Sequence, residues 1–339
     1  MLELHLNLTP ENETEIQGPV TPDPRRTYDT LIVGAGPAGL NAALYLKRKG
    51  RDVAVFGDKV GGQMLNTSSV ENYIGTGQNS GYDLSQQFSR DVERMGIPVL
   101  SGYRIESWRM SDDGFALTAD NKTVYKGRTV LIATGSNPRH LNIPGESAFA
   151  DKGVSYCAIC DGPLFGNKRI AVAGGGNAAV EAALDLARIA KELTVVQRSQ
   201  FRADEVLLNE LRAMDNVTLL TETRMEAIEG DEHVEGIRVF SKQDNEMRYL
   251  PLDAVFIEIG HDPNVGPFAG DVLTNDRGEI IIDEHNRTNI PGMYAAGDVA
   301  ETMYKQIVIA AADGAKAALS INNDLTAGKP LAAYQNERI

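Results

Sequence analysis

Two stretches of the chain share one pattern: a short apolar run, a glycine-rich turn, and then apolar residues at helical spacing. In the first stretch these parts occupy residues 30–33, 34–39 and 40–48. In the second, the apolar run at 169–173 precedes the turn at 174–179 and an alanine-rich helical segment. This order is typical of dinucleotide-binding folds, because glycines let the backbone approach a pyrophosphate and the start of the helix favours its charge. We therefore predict an α/β protein with two Rossmann-like dinucleotide-binding domains.

The two turns match the glycine fingerprint at defined positions. The fingerprint residues are Gly34, Gly36 and Gly39 in the first turn and Gly174, Gly176 and Ala179 in the second. Further apolar runs at 53–56 and 193–196 predict the next strand of each fold. For the second turn a purely structural role stays open, since glycines also allow a helix to pack closely on a strand.

Two later segments repeat the strand-then-glycine form. The run at 129–133 leads into Thr134 and Gly135, and the segment at 292–298 ends at Asp298. A helical stretch follows at 306–322. Asp298 fits two roles at the end of its strand, a helix cap or a contact to a cofactor.

Composition narrows the classes of protein that remain. A chain of 339 residues with 42% hydrophobic residues, 33 glycines and 14 prolines fits two globular domains. The formal charge of −14 disfavours nucleic acid or an anionic membrane as a partner. No apolar run is long enough to cross a bilayer, and residues 1–26 are polar rather than basic and then apolar. We expect a cytoplasmic protein without a membrane partner.

The two cysteines of the chain stand three residues apart, as Cys157 and Cys160, just before the second glycine-rich unit. A structural zinc site needs about four ligands. Here the chain offers no further cysteine and only five scattered histidines. We therefore predict no metal site. The pair instead fits a redox dithiol, in which one thiolate exchanges with a disulfide.

Taken in order, these motifs carry a family resemblance. They are the turns at 34–39 and 174–179 and the segments at 61–63, 71–72, 133–135, 157–161 and 295–298. Over about residues 28–325 the chain resembles the low-molecular-weight thioredoxin reductases. Residues 56–63 and 160–165 are similar to the C-terminal part of the flavoprotein subunit of alkyl hydroperoxide reductases. Those subunits carry an extra N-terminal thioredoxin-like domain, and about 26 residues before the first strand are too few for one. We therefore expect an external dithiol protein as acceptor.

The resemblance implies a domain plan in which the second dinucleotide-binding domain is inserted in the first, and it implies a homodimer. The parts are an N-terminal extension at 1–26, a discontinuous FAD domain at 27–141 and 263–325, a pyridine-nucleotide domain with the cysteines at 142–262, and a tail at 326–339.

The resemblance also implies a set of FAD-binding positions. Those assigned to the pyrophosphate are Gly34, Gly36 and Gly39, and the others are Asp58, Gly62, Gln63, Asn72, Thr134, Gly135, Asp298, Gln306 and Ile307. By the same analogy Cys160 lies nearest the flavin and Cys157 attacks the substrate disulfide. Asp161 then serves as general acid–base, because an adjacent carboxylate can move the proton of thiol exchange. A structural cap beside Gly162 is its alternative role.

The nucleotide site departs from the family pattern. Thioredoxin reductases hold the 2′-phosphate of NADPH with a histidine, two arginines and a later arginine, and here Val196 and Gln197 replace the first two of these. Arg198 and Arg202 remain, and two arginines still suit a phosphate. In the tail, Tyr334 fits a stacking role on the flavin, and an exposed end without function fits as well.

These observations predict an FAD-dependent disulfide reductase that takes electrons from NADPH and passes them through Cys157 and Cys160 to a thioredoxin-like protein. One alternative is a thioredoxin reductase fed by ferredoxin or another carrier, with a degenerate nucleotide site. The other is a flavin-binding redox sensor without turnover.

Overall fold

The computed structural model describes residues 20–67, 69–111, 114–328 and 331. The chain forms two compact units. One contains the described residues up to Asn66, then Asn79–Gly135 and the chain from Pro263, and the other contains Thr67–Gln78 and Ser136–Asp262. The first boundary of the inserted unit therefore lies upstream of residue 142.

Helices and strands alternate at the start of each unit, and runs of consecutive strands follow. The strands are β1 (Thr27–Val33), β2 (Val53–Gly57), β3 (Val99–Ser101), β4 (Ile105–Ser111), β5 (Gly114–Ala119), β6 (Val124–Ile132), β7 (Ser136–Pro138), β8 (Val154–Ser155), β9 (Arg169–Ala173), β10 (Glu192–Val196), β11 (Val217–Leu220), β12 (Thr223–Gly230), β13 (Val234–Ser241), β14 (Glu246–Pro251), β15 (Ala254–Ile257), β16 (His261–Pro263) and β17 (Met293–Ala295). The helices are α1 (Pro37–Arg48), α2 (Gly81–Arg94), α3 (Ala158–Asp161), α4 (Asn177–Ala187), α5 (Glu205–Arg212) and α6 (Ile307–Ala327).

The first unit is built on a seven-stranded sheet in which six strands have the order β3-β2-β1-β6-β5-β4. The seventh strand, β17, pairs with the C-terminal residues of β6. Strands β3, β2, β1, β6 and β17 pair in parallel, whereas β4 and β5 are antiparallel. The central strands are apolar on both faces because each face is covered, α1 and α6 lying over one of them. Helix α1 begins with Pro37 in its first turn and ends after Lys47 and Arg48, as helix-terminal preferences predict.

The second unit contains a parallel sheet in the order β11-β10-β9-β15-β8. An antiparallel sheet, β12-β13-β14, and a pair of short strands, β16 and β7, complete it. Apolar cores cover both faces of the parallel sheet. Because β8, β9 and β15 run in parallel, the residues that follow them meet at one sheet edge, where ligands bind in such folds. Those residues include Cys157, Gly174 and Glu258.

The α/β class with two Rossmann-like units, the second inserted in the first, is confirmed. The predicted runs at 30–33 and 53–56 pair in register as parts of β1 and β2. Those at 169–173 and 193–196 pair as β9 and β10. The C-terminal helix is longer than its predicted stretch, because its apolar face continues to Leu325 before Gly328 ends it in a left-handed conformation.

Candidate active site

The two cysteines form a disulfide at the start of the short helix α3. Cys157 caps this helix and Cys160 lies within it, with their Cα atoms 5.3 Å apart. The backbone N–H of Cys160 donates to Cys157 Sγ at 3.2 Å. Both cysteines are half-buried, and Ile159 between them is exposed. An exposed turn with a disulfide at its edge is accessible to a second dithiol, as exchange chemistry requires.

Ser155 connects the disulfide to Asp161. Its hydroxyl oxygen accepts the N–H of Cys157 at 3.1 Å, and the hydroxyl donates to Asp161 Oδ2 at 2.6 Å. Burial raises the pKa of Asp161, the hydrogen bond from Ser155 opposes this, and the charge of Asp151 raises it slightly further. The carboxyl group therefore holds a proton at a higher pH than an exposed aspartate does, which suits an acid–base group.

Glu258 is a site residue that the sequence did not reveal. It follows β15 directly, and its Oε1 accepts the backbone N–H of Ala158 at 3.1 Å. Burial raises the pKa of Glu258 to about 7, against a lowering effect of the hydrogen bond from Ala158. The available signal was an acidic residue at the end of the fully apolar strand β15. Without the strand order, however, that residue had no link to the cysteines.

A further group of polar side chains includes Tyr156, the residue before Cys157. The hydroxyl of Tyr156 donates to Glu146 Oε1 at 2.9 Å, and His140 Nδ1 lies 3.1 Å from the same oxygen. The backbone N–H groups of Leu141 and Asn142 also donate to the Glu146 carboxylate. The buried carboxylate of Glu146 thus holds the segment before the inserted sheet, which is a structural task.

The first glycine turn has the shape of a pyrophosphate cradle. A Cβ on Gly34 would lie 2.0 Å from the carbonyl oxygen of Ala133, and one on Gly39 would lie 1.9 Å from that of Gly34. These two glycines therefore allow the strand and helix to meet. Gly36 differs, since apart from its chain neighbours no atom of the described residues lies within 4 Å of the position of its Cβ. Next to it, a Cβ on Gly62 would lie 3.3 Å from the Cα of Gly36.

Other predicted flavin positions of the first unit fit the same interpretation. The buried Oγ1 of Thr134 has no hydrogen-bond partner among the described residues, and Gly135 follows it with φ of +69°. Burial raises the pKa of Asp298 to about 6. Gln306 caps helix α6, and Ile307 is its first residue. A buried hydroxyl, a half-buried carboxyl group and a helix start suit the polar parts of a dinucleotide.

The remaining flavin positions lie nearer the surface. Asp58 follows β2, and Arg104 Nη2 pairs with its carboxylate at 2.5 Å. Gln63 is exposed. Asn72 is also exposed and belongs to Thr67–Gln78, which groups with the second unit. Tyr334 lies outside the described residues.

The second glycine turn repeats the geometry of the first. A Cβ on Gly174 would lie 2.3 Å from the carbonyl oxygen of Glu258 and 2.7 Å from the Cβ of Ala179, whereas the position on Gly176 is open. This turn therefore has an open backbone position where a pyrophosphate can approach, as Gly36 gives in the first turn.

The loop after β10 supplies cations beside this turn. The N–H of Arg202 donates to Gly175 O at 2.8 Å. Arg198 and Arg202 are exposed, and within the described ranges their guanidinium groups have no ion-pair or hydrogen-bond partner. The buried side chain of Gln197 covers Gly175, and its amide bonds only within its own loop. Two arginines are thus available for a phosphate, and Gln197 is not.

No helix among the described residues is long and apolar enough to span a membrane.

Comparisons with known proteins agree on one family. A profile described as pyridine nucleotide-disulphide oxidoreductase matches residues 28–314. An alkyl hydroperoxide reductase subunit from Staphylococcus aureus is 42% identical over 297 residues, which are 87% of this chain and 59% of that protein. The chain thus spans less than two thirds of the length of the curated relatives it matches.

Solved structures give the same result. The thioredoxin reductase of Streptococcus pyogenes MGAS5005 matches with a TM-score of 0.83 at 36% identity, over 89% of this chain and 99% of that one. The thioredoxin reductase of Giardia duodenalis matches with a TM-score of 0.83 at 30% identity, over 89% of this chain and 100% of that one.

Proposed function

The chain belongs to the pyridine nucleotide-disulphide oxidoreductase family and is a thioredoxin reductase-like flavoprotein disulfide oxidoreductase; we propose that it transfers electrons from NADPH to the Cys157–Cys160 disulfide and on to a thioredoxin-like protein. The observation that carries this proposal is the half-exposed disulfide with Ser155 and Asp161 beside it. Members of the family bind FAD and NAD(P)H.

FAD is the cofactor that fits the first unit. The open position at Gly36, its neighbour Gly62 and the unpaired Oγ1 of Thr134 are the features that support this assignment. When bound, FAD supplies a two-electron carrier between a nicotinamide and a disulfide.

The side chains of the second unit divide the chemistry of the disulfide among them. We assign Cys157 to the attack on the acceptor's disulfide, and Cys160 to the release of the mixed disulfide that results. Asp161, held by Ser155, moves the proton between sulfur and solvent, since its raised pKa favours the protonated form.

NADPH is our choice of donor because Arg198 and Arg202 are exposed and unpaired beside the second glycine turn, within the described part of the chain. Arginine suits a phosphate, which it can bind with two parallel hydrogen bonds. One observation favours the alternative of ferredoxin or another carrier. Gln197 covers Gly175 and uses its amide within its own loop, so the clamp is smaller than that of the family.

The acceptor is proposed as a thioredoxin-like protein because the chain is similar to thioredoxin reductases over nearly their full length. We also propose a homodimer, as the resemblance to thioredoxin reductases implies.

Rapid mixing tests donor and acceptor separately. The FAD-loaded protein is mixed anaerobically with NADPH or NADH, and flavin absorbance is followed before oxidised thioredoxin is added. We expect NADPH to bleach the flavin rapidly and thioredoxin then to be reduced. The matched variant Cys157→Ser should lack the thioredoxin reduction. Absence of bleaching by NADPH, with thioredoxin still reduced when an artificial donor is used, would point to a carrier as donor. Bleaching without any thioredoxin reduction would contradict the reductase function and favour a sensor.

A further inference from the structure

Glu258 connects the edge of the parallel sheet to the segment that holds the cysteines. Its backbone N–H donates to the carbonyl oxygen of Ala173 at 2.8 Å, which continues the pairing of β15 with β9. From there its side chain reaches Ala158, the first residue of α3, and accepts its N–H at 3.1 Å. A carboxylate on a rigid sheet edge thus binds the backbone directly after Cys157.

Three backbone N–H groups around the disulfide donate to side-chain acceptors. Ser155 Oγ accepts that of Cys157, Cys157 Sγ accepts that of Cys160, and Glu258 accepts that of Ala158. Of these acceptors, Glu258 alone carries a carboxyl group and comes from a different strand. The contact between Glu258 and Ala158 therefore links the position of the first turn of α3 to a group that can carry a charge.

The charge on Glu258 changes in the pH range in which thiols begin to ionise. Its half-buried carboxyl group has a pKa raised to about 7 by burial. A free cysteine has a pKa of about 8.5. Once ionised, the Glu258 carboxylate is bonded to the residue after Cys157. It then opposes the formation of a thiolate on Cys157, because like charges in a partly buried site repel each other.

The other charged groups near α3, β8 and β15 do not replace the effect of the Glu258 charge on Cys157. Asp161 is the second carboxyl group on α3, and it is hydrogen-bonded to Ser155 and influenced by Asp151. On the segments that flank β15 and β8, Arg139 is paired with Asp262, and the His140–Glu146–Tyr156 group is bonded within itself. Glu258 is thus the carboxyl group bonded to the Cys157–Ala158 backbone.

We propose that Glu258 is a positioning residue for the disulfide, which fixes the first turn of α3 through Ala158 and whose charge holds back the ionisation of the Cys157 thiol in the reduced protein. This proposal rests on the proposed function, because it concerns the same pair of cysteines. Above neutral pH, the charge of Glu258 therefore lowers the fraction of Cys157 that is present as the reactive thiolate.

The test uses the variant Cys160→Ser as background, because its full-length, FAD-loaded protein then has Cys157 as the one thiol of the chain. The rate of alkylation by iodoacetamide is measured from about pH 6 to about pH 9, with and without Glu258→Gln. The glutamine oxygen still accepts the Ala158 N–H but carries no charge. We expect the added substitution to lower the pKa of Cys157, read from the midpoint of the alkylation profile, by about one unit. A fall from about 8.5 to about 7.5 raises the thiolate fraction about threefold at pH 8, and at pH 6, where Glu258 is mostly protonated, the rate should change less than about twofold.

Three further variants separate the charge from the contact. Glu258→Asp keeps the charge and should keep the slow reaction, whereas Glu258→Ala removes charge and contact and should react at least as fast as Glu258→Gln. Glu246→Gln removes an exposed charge from β14 and should leave the alkylation profile unchanged.

The proposal is overturned if Glu258→Gln reacts like its parent at every pH, or if only Glu258→Ala changes the profile. If Glu258→Gln does not fold, a Glu258→Asp variant whose alkylation midpoint lies about one pH unit below that of its parent overturns it equally. Alkylation needs no donor, acceptor or turnover. A shifted profile in a protein that fails to reduce thioredoxin would therefore refute the proposed function and leave the role of Glu258 standing.

Discussion

The substitution Gly36→Ala separates the proposed cofactor-binding role of the first glycine turn from its structural role. Gly36 has φ of −85° and ψ of −172°, an extended conformation that any residue adopts. Within the described part of the chain, no atom other than those of its chain neighbours lies within 4 Å of the added Cβ. The protein itself therefore gives no steric reason for glycine at this position, whereas a pyrophosphate that approaches the backbone there does.

The expected effects on folding and on binding differ in size. Gly36 caps α1, and alanine is a poorer cap than glycine, which costs about 0.5–1 kcal/mol. The smaller conformational freedom of alanine in the unfolded chain returns about 0.4–1 kcal/mol. The free energy of unfolding of the apoprotein should thus change by less than about 1 kcal/mol. A methyl group in the path of the pyrophosphate should weaken FAD binding at least about tenfold, or about 1.4 kcal/mol.

Two measurements on the same preparations check this prediction: denaturant unfolding of the apoprotein, and the dissociation constant for FAD from flavin absorbance or fluorescence. Gly176→Ala is the matched control, because Gly176 has φ of −92°, caps α4 and is equally open, but lies in the second unit. It should bind FAD normally and raise the KM for NADPH. If Gly36→Ala binds FAD with wild-type affinity, the proposal that this turn binds the pyrophosphate is refuted.

Three more predictions concern charged side chains of the second unit. Replacing Arg198 and Arg202 together by alanine should raise the KM for NADPH well over tenfold with little change for NADH, since charge-assisted bonds to the 2′-phosphate contribute about 1.5–3 kcal/mol each; equal effects on both nucleotides would contradict the clamp. Asp161→Asn should lower kcat for thioredoxin reduction about 10²-fold and abolish the decline in kcat as pH rises through the raised pKa of Asp161, because the protonated form is the acid; an unchanged pH profile would exclude that role. The folded-state pKa of Glu258, about 7, lies above its unfolded value of 4.5, so its stabilising contribution is complete below 4.5 and is lost as pH rises through 7. Glu258→Gln should therefore gain stability relative to wild type between about pH 4 and about pH 8, by up to about 3 kcal/mol in denaturant unfolding, and a constant difference would contradict the buried carboxyl group.

The local parts of the fold were predictable because their signals are local. The apolar runs of β1 and β9 and the glycines after them specify a strand, a turn and a helix within about twenty residues. The inserted arrangement came from the resemblance, since no local pattern in the chain reports which strands share a sheet. The antiparallel sheet β12–β14 was not predicted, because its strands carry exposed charged residues that obscure the alternation.

The site was predictable where chemistry is adjacent in sequence and not where the fold creates it. Cys157, Cys160 and Asp161 lie within five residues, so their pattern alone indicated redox chemistry. Glu258 is 100 residues from Ala158 and meets it only because β15 lies between β9 and β8 in the sheet. The loop contacts of Gln197 depend likewise on its packing over Gly175, which the sequence does not display.

Electrons that enter the protein should reach the Cys157–Cys160 disulfide. Anaerobic titration of the FAD-loaded chain with dithionite, with thiols counted at each step, tests it most directly, and the FAD-free chain serves as control for direct reduction. A flavin and a disulfide each accept two electrons. We expect four electrons and two new thiols per FAD in the wild type, two electrons and no new thiol in Cys157→Ser, and no thiols in the control over the same time. Complete flavin reduction by two electrons in the wild type, with the disulfide still intact, would contradict it.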